Sequence, residues 1–192
     1  MKKRRVGVFG GTFDPVHIGH IQMAIALKEQ CQLDQILFVP AKQNPLKKRE
    51  CIASDEQRVT MLQYALRGFP ESKIIMDELE REGPSYMVDT LCLLQKKEEW
   101  EGSSFFLLLG QDVLSNIDQW KEKEEVISLA TPLIALRDKL SHPHVKEEWI
   151  QKTPLFDVSA TEIRDRLKKG LFCRHLLDGE VYRYIQEQGI YI

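Results

Sequence analysis

Val6-Gly7-Val8-Phe9-Gly10-Gly11-Thr12-Phe13-Asp14-Pro15-Val16-His17-Ile18-Gly19-His20 begins as a strand and ends as a helix, and that change decides how the rest of the chain reads. Val6, Val8 and Phe9 form a short β-type run that breaks at Gly10-Gly11-Thr12. Asp14-Pro15 marks a turn, after which His17 and His20 stand three apart at the mouth of an apolar helix. Such a unit turns backbone N–H groups and a helix N-terminus toward a phosphate. Residues three apart share a face at a helix start, and imidazole donates hydrogen bonds to phosphoryl oxygens. Glycines at 10 and 11 admit a ligand close to the backbone, and Gly19 leaves space beside the histidines.

Outward from this stretch, short apolar runs alternate with longer amphipathic ones, the pattern of βαβ units on a parallel sheet. Strands are expected at 4–9, 35–40, 73–77, 104–109 and 132–136, with a shorter one at 155–158. Helices are expected near 18–30, 55–67, 86–97, 112–129 (broken), 160–169 and 178–188. Ser54 with Gln57, and Ser159 with Glu162, have the spacing of capping boxes, and Gly170 is a natural C-terminal stop. The fold class is therefore α/β, a doubly wound parallel sheet with flanking helices, in one domain over 1–192 whose C-terminal helical part covers about 159–192. In such sheets ligands gather at the carboxyl ends of the strands. Asp112, just after Gly110 at the end of the 104–109 strand, is placed to accept hydrogen bonds from ribose hydroxyls.

Composition narrows the class further. The chain has 192 residues, is 43% hydrophobic and 29% charged, and carries a formal net charge of −2. That balance gives no basic field for nucleic acid, and no run approaches the length of a membrane span. The basic start Lys2-Lys3-Arg4-Arg5 lacks an apolar stretch behind it, so no signal peptide is expected. Cys31, Cys51, Cys92 and Cys173 have no paired spacing, as expected of reduced thiols in a cytoplasmic protein. Among other candidates, His142-Pro143-His144 lacks a third ligand and reads as loop surface within the polar stretch 138–153. Arg58 reads as helix surface, and Trp100 and Trp149, in polar runs, as surface-edge packing.

The string from Gly10 to His20 resembles the signature of the His-x-Gly-His nucleotidyltransferases, and in its full form that of bacterial nicotinate-nucleotide adenylyltransferases. Further segments extend the resemblance in order: Asn44-Pro45-Leu46-Lys47, Pro84-Ser85-Tyr86-Met87-Val88-Asp89-Thr90-Leu91, Leu109-Gly110-Gln111-Asp112 with Trp120 downstream, and Val158-Ser159-Ala160-Thr161-Glu162-Ile163-Arg164. Together they span residues 6 to about 170.

The resemblance implies a Rossmann-like fold and transfer of AMP from ATP to nicotinate mononucleotide, giving deamido-NAD and pyrophosphate. It implies that His17, His20, Lys47 and Arg164 act at the phosphates. Gly10, Gly11, Thr12, Phe13, Gly19, Gly110, Asp112, Ser159 and Thr161 would complete the ATP site. Lys47, Ser85, Tyr86, Met87, Thr90 and Trp120 would seat the mononucleotide, with Mg²⁺ carried in on ATP and no dedicated metal site. Where the family has Thr after Ser-Tyr, this chain has Met87, whose thioether cannot donate a hydrogen bond to the nicotinate carboxylate. Backbone N–H groups at that helix start are the remaining donors. The expected partners are ATP and the mononucleotide, without nucleic acid or membrane; a homo-oligomer is compatible with this reading. Two alternatives remain at this point: a relative acting on another phosphate, such as pantetheine phosphate, and a nucleotide sensor without turnover.

Overall fold

The computed structural model describes residues 3–46, 50–136, 145–154 and 157–192. Their strands form one parallel sheet: β1 (Arg5–Gly11), β2 (Gln35–Pro40), β3 (Ser72–Ile74), β4 (Ser104–Leu109), β5 (Ala130–Leu136) and β6 (Ile150–Lys152). Their spatial order is β3-β2-β1-β4-β5-β6. The winding reverses between β1 and β4, which pair in register from Arg5 with Ser104 to Val8 with Leu107. A crevice at the carboxyl ends of two such strands is where this kind of sheet takes its ligand.

The β period of two assigns side chains to faces. Phe9, Ile36, Phe38, Leu108 and Leu133 point into one apolar cluster. There they meet α1 (Ile18–Gln30), α2 (Asp55–Leu66), α6 (Ala160–Lys168) and α7 (Gly179–Gln188). Val6, Val8, Leu37, Val39, Phe105 and Leu107 point the other way, against α4 (Met87–Lys96) and α5 (Lys123–Leu129). A short α3 (Asp77–Glu80) completes the α-helices of the described residues, none of which is long and apolar enough to cross a membrane.

Local signals account for most boundaries. Ser54 and Gln57 close a reciprocal capping box on α2, whereas Ser159 Oγ accepts from the Glu162 N–H without the return bond. Gly170, at φ +63°, follows α6 as its stop. None of the four cysteines is in a disulfide.

Several expectations are corrected. A strand that was not expected lies at 150–152, where Ile150 pairs with Ile134 at the sheet edge; of the strand expected at 155–158, residues 157 and 158 are not in a strand, and 155 and 156 lie outside the described set. The end of the polar stretch is therefore structured, while His142 and His144 also lie outside the described residues. The strand expected over 73–77 stops at Ile74, and α3 opens at Asp77, where acidic residues in the first turn suit the helix dipole. The segment 112–129 is broken as expected, into two 3₁₀ turns, at Gln111–Ser115 and Ile117–Gln119, followed by α5.

Candidate active site

At the carboxyl end of β1 the chain turns through Thr12-Phe13-Asp14 into α1, whose N-cap is His17. The His17 N–H donates to His20 Nδ1 at 3.2 Å. A backbone N–H can only donate, so Nδ1 of His20 is the acceptor and the ring of neutral His20 carries its proton on Nε2. The two imidazoles stack with centroids 3.7 Å apart, and the edge of Phe13 meets His20 at 5.1 Å. His17 is buried, and desolvation lowers its pKa from 6.5 to about 4, so it is neutral at pH 7. The pair thus offers hydrogen-bond donors without a fixed positive charge.

Two helix N-termini meet here. A Cβ on Gly19 would lie 2.7 Å from Val158 Cγ1 and 3.1 Å from His17 Nδ1, so glycine is what lets the start of α6 settle on the start of α1. From α6, Arg164 reaches back: one nitrogen donates to the Asp14 carbonyl at 2.6 Å, the other to Thr161 Oγ1 at 2.8 Å. Ser159 and Thr161 are exposed at that helix start, where first-turn N–H groups have no intrahelical partner.

The motif loop is gripped from elsewhere as well. Arg58, fully buried, donates to the Thr12 carbonyl at 2.6 Å and to Asp55 at 2.6 Å. The Asp14 carboxylate accepts from the Ile52 and Ala53 N–H groups, each at 3.1 Å, and from the Tyr191 hydroxyl at 2.7 Å. Phe13, at φ +49°, is held in the left-handed region between these anchors.

Across the crevice, Met87 opens α4 and lies over the end of β1: a Cβ on Gly10 would come within 2.6 Å of Met87 Cε. Tyr86 and Trp120, both half-buried, pack with Met87 on one apolar cluster, and the Lys121 ammonium sits 4.6 Å from the Tyr86 ring centre. Ser85 Oγ accepts from the Lys42 N–H at 2.9 Å, and the Ser85 N–H donates to the Gln43 carbonyl at 2.9 Å. Thr90 is fully buried, its hydroxyl donating to Glu78 Oε1 at 2.5 Å. Burial raises the Glu78 pKa, against the opposing pull of hydrogen bonds from Thr90 and Ser85 and the charge of Arg81. Asp112 is exposed beyond β4, with its carboxylate turned back over Gly110. Among the described residues no three His, Cys, Asp or Glu side chains are gathered to hold a metal ion.

A cytidylyltransferase-like family model matches residues 8–166. The nicotinate-nucleotide adenylyltransferase of Bacillus subtilis (strain 168) is 35% identical over 191 residues, covering 98% of each chain. The chain belongs to the nicotinate-nucleotide adenylyltransferase family. A probable member from Methylacidiphilum infernorum (isolate V4) is 34% identical over 98% of this chain and 92% of its own. The fold is shared with the nicotinic acid mononucleotide adenylyltransferase of Plasmodium falciparum, solved in complex with NaAD, at a TM-score of 0.74 and 18% identity over 98% and 97% of the two chains.

Within this family frame, the structure brings Gly10, Gly11, Thr12, Phe13, His17, Gly19, His20, Ser159, Thr161 and Arg164 to one side of the crevice. It gathers Ser85, Tyr86, Met87 and Trp120 on the other, with Thr90 beneath them. Lys47 lies outside the described residues. Arg58 is not helix surface but a buried brace of the motif loop. Trp100 and Trp149 are core residues, 1% and 5% exposed. Their polar neighbours cover the rings, with Arg4 4.9 Å from the Trp100 centre and Lys146 5.4 Å from that of Trp149. Sequence reasoning missed Glu78 and Tyr191, for which no local pattern pointed to the site, and the use of the Asp14 carboxylate, which stood inside the motif.

Proposed function

We infer that the protein transfers AMP from ATP to nicotinate mononucleotide, releasing pyrophosphate and giving deamido-NAD. The observation that carries this reading is the stacked His17–His20 pair at the junction of two helix N-termini, in a chain that matches nicotinate-nucleotide adenylyltransferases along its whole length. A phosphate oxygen of the mononucleotide attacks the α-phosphorus of ATP. As that bond forms, the bond from the α-phosphorus to the bridging oxygen breaks and its electron pair leaves with pyrophosphate. No protein nucleophile is needed, so the residues serve alignment and charge stabilisation.

In this reading the Nε2–H of neutral His20 donates to a phosphoryl oxygen, with His17 stacked beside it as the second imidazole. The exposed first turn of α6, with Ser159 and Thr161, receives the outgoing phosphates, and Arg164 adds positive charge from beneath while fixing the loop. Lys47, outside the described residues, is assigned to the phosphates by the family resemblance alone. Asp112 accepts from ribose hydroxyls. Tyr86 and Trp120 flank the pyridine ring, and the α4 start supplies N–H groups to its carboxylate. Mg²⁺ enters as the counter-ion of ATP, since the described donor set offers no cage of its own.

The test is pyrophosphate release from ATP and Mg²⁺ with either nicotinate mononucleotide or its amide. Release with the acid is expected. No release with either overturns the reading, and release with the amide alone shows that Met87 has shifted the acceptor. His20→Ala should lower turnover by about 10²–10³, the usual cost of one lost transition-state donor, with an unchanged circular-dichroism spectrum.

A further inference from the structure

Asp14 is 2% exposed, and its carboxylate accepts from the Ile52 and Ala53 N–H groups and, at 2.7 Å, from the Tyr191 hydroxyl 177 residues away. A carboxylate only accepts, so the phenol is the donor. Tyr191 is itself 4% exposed and sits at φ +65°, directly after Gly189 (φ +60°) and Ile190 have turned the chain back from α7. A bulky residue persists in that backbone region only where its surroundings fix it. The Tyr191 ring is packed in the core and its hydroxyl is spent on Asp14, which is joined by backbone to Phe13, whose ring stands edge-to-face with His20. The same Asp14 presents its carbonyl to Arg164. A bond from the far end of the fold is thereby transmitted through one loop residue to an imidazole of the candidate site.

We propose that Tyr191 is a positioning residue for adenylyl transfer, acting through Asp14 and Phe13 to fix the His20 ring against its substrate. The proposal rests on the adenylyl-transfer reading above. Tyr191 touches no reacting atom; it selects the loop geometry in which the Nε2–H points at the phosphate. Alignment of this kind acts on the chemical step, so its loss lowers kcat more than it raises KM.

Tyr191→Phe keeps the ring and removes only the hydroxyl. It should lower kcat about tenfold while the KM for nicotinate mononucleotide stays within about twofold, at a temperature well below the melting transition. Asp14→Asn should do at least as much harm, and the double variant should be no slower than Asp14→Asn alone, since coupled groups are non-additive. The imidazole resonances of His17 and His20 in a ¹H–¹³C spectrum should also shift in Tyr191→Phe. Wild-type kcat with unmoved resonances, or losses that simply multiply in the double variant, would overturn the proposal. If the wild-type protein releases no pyrophosphate with nicotinate mononucleotide, the reaction assignment fails. The resonances then still decide whether Tyr191 sets the histidine geometry.

Discussion

Support for Thr12–Asp14 comes from Arg58, Arg164 and Tyr191, side chains 46 to 177 residues distant, two of them guanidinium groups bonded to backbone carbonyls. Support for Ser85–Thr90 comes from Glu78, 12 residues away, and from neutral hydrogen bonds with Lys42 and Gln43. The nucleotide side is thus over-determined by the whole fold, and the acceptor side rests on a local turn with one buried carboxylate. On the proposed assignment of the two sides, such a division would let residues at the start of α4, Met87 among them, change without loosening the histidine loop.

Arg58→Met tests the first half most severely. Asp55 is half-exposed, so the main loss is the bond to the Thr12 carbonyl, typically about 1–3 kcal/mol, read as a shifted urea midpoint. A cost below about 1 kcal/mol would put both halves on the same footing. His17 provides a pH-resolved version. Its folded pKa of about 4 lies below the ordinary 6.5, so between those values the unfolded chain binds the extra proton. Stability should therefore be full above pH 6.5 and fall as pH drops toward 4, by up to about 3 kcal/mol. His17→Asn, which keeps a good N-cap, should lack that part of the slope in denaturation series from pH 4 to 7.

The acceptor half gives smaller effects. Glu78→Gln should raise the KM for nicotinate mononucleotide by about tenfold, or about 1.4 kcal/mol, with the KM for ATP within about twofold of wild type. Equal changes in both constants would mean the halves are not separable. On the histidine side, Ser159→Ala removes a one-sided cap of α6 and should cost about 1 kcal/mol in thermal denaturation.

How much of this was legible depended on whether the signal was local. The β–glycine–helix run, the alternation that builds the sheet and the capping box at Ser54 depend on neighbours in sequence, and they read correctly; at Ser159 the cap forms but the return bond of the expected box does not. Arg58 read as surface because an Asp three residues before it looks like an ordinary exposed pair; the Thr12 carbonyl that buries it belongs to another segment. Trp100 and Trp149 read as edge residues because their sequence neighbours are charged; in the fold those neighbours turn outward from buried rings, over which Arg4, Lys73 and Lys146 set their cationic groups. β6 was missed because a three-residue edge strand is defined by its pairing with β5, which no periodicity announces. Tyr191 carries no pattern at all, since its role exists only once the fold has closed.

The bonds from Arg164 and Tyr191 to Asp14 also order events in the life of the molecule. Synthesis runs from the N-terminus, and segments fold as they emerge. The histidine motif leaves the ribosome early, yet two of its braces are more than 140 residues behind it, at separations of 150 and 177. The stretch made first is among the last to be finished, so a nascent chain carries its histidine motif long before the side chains that brace it exist.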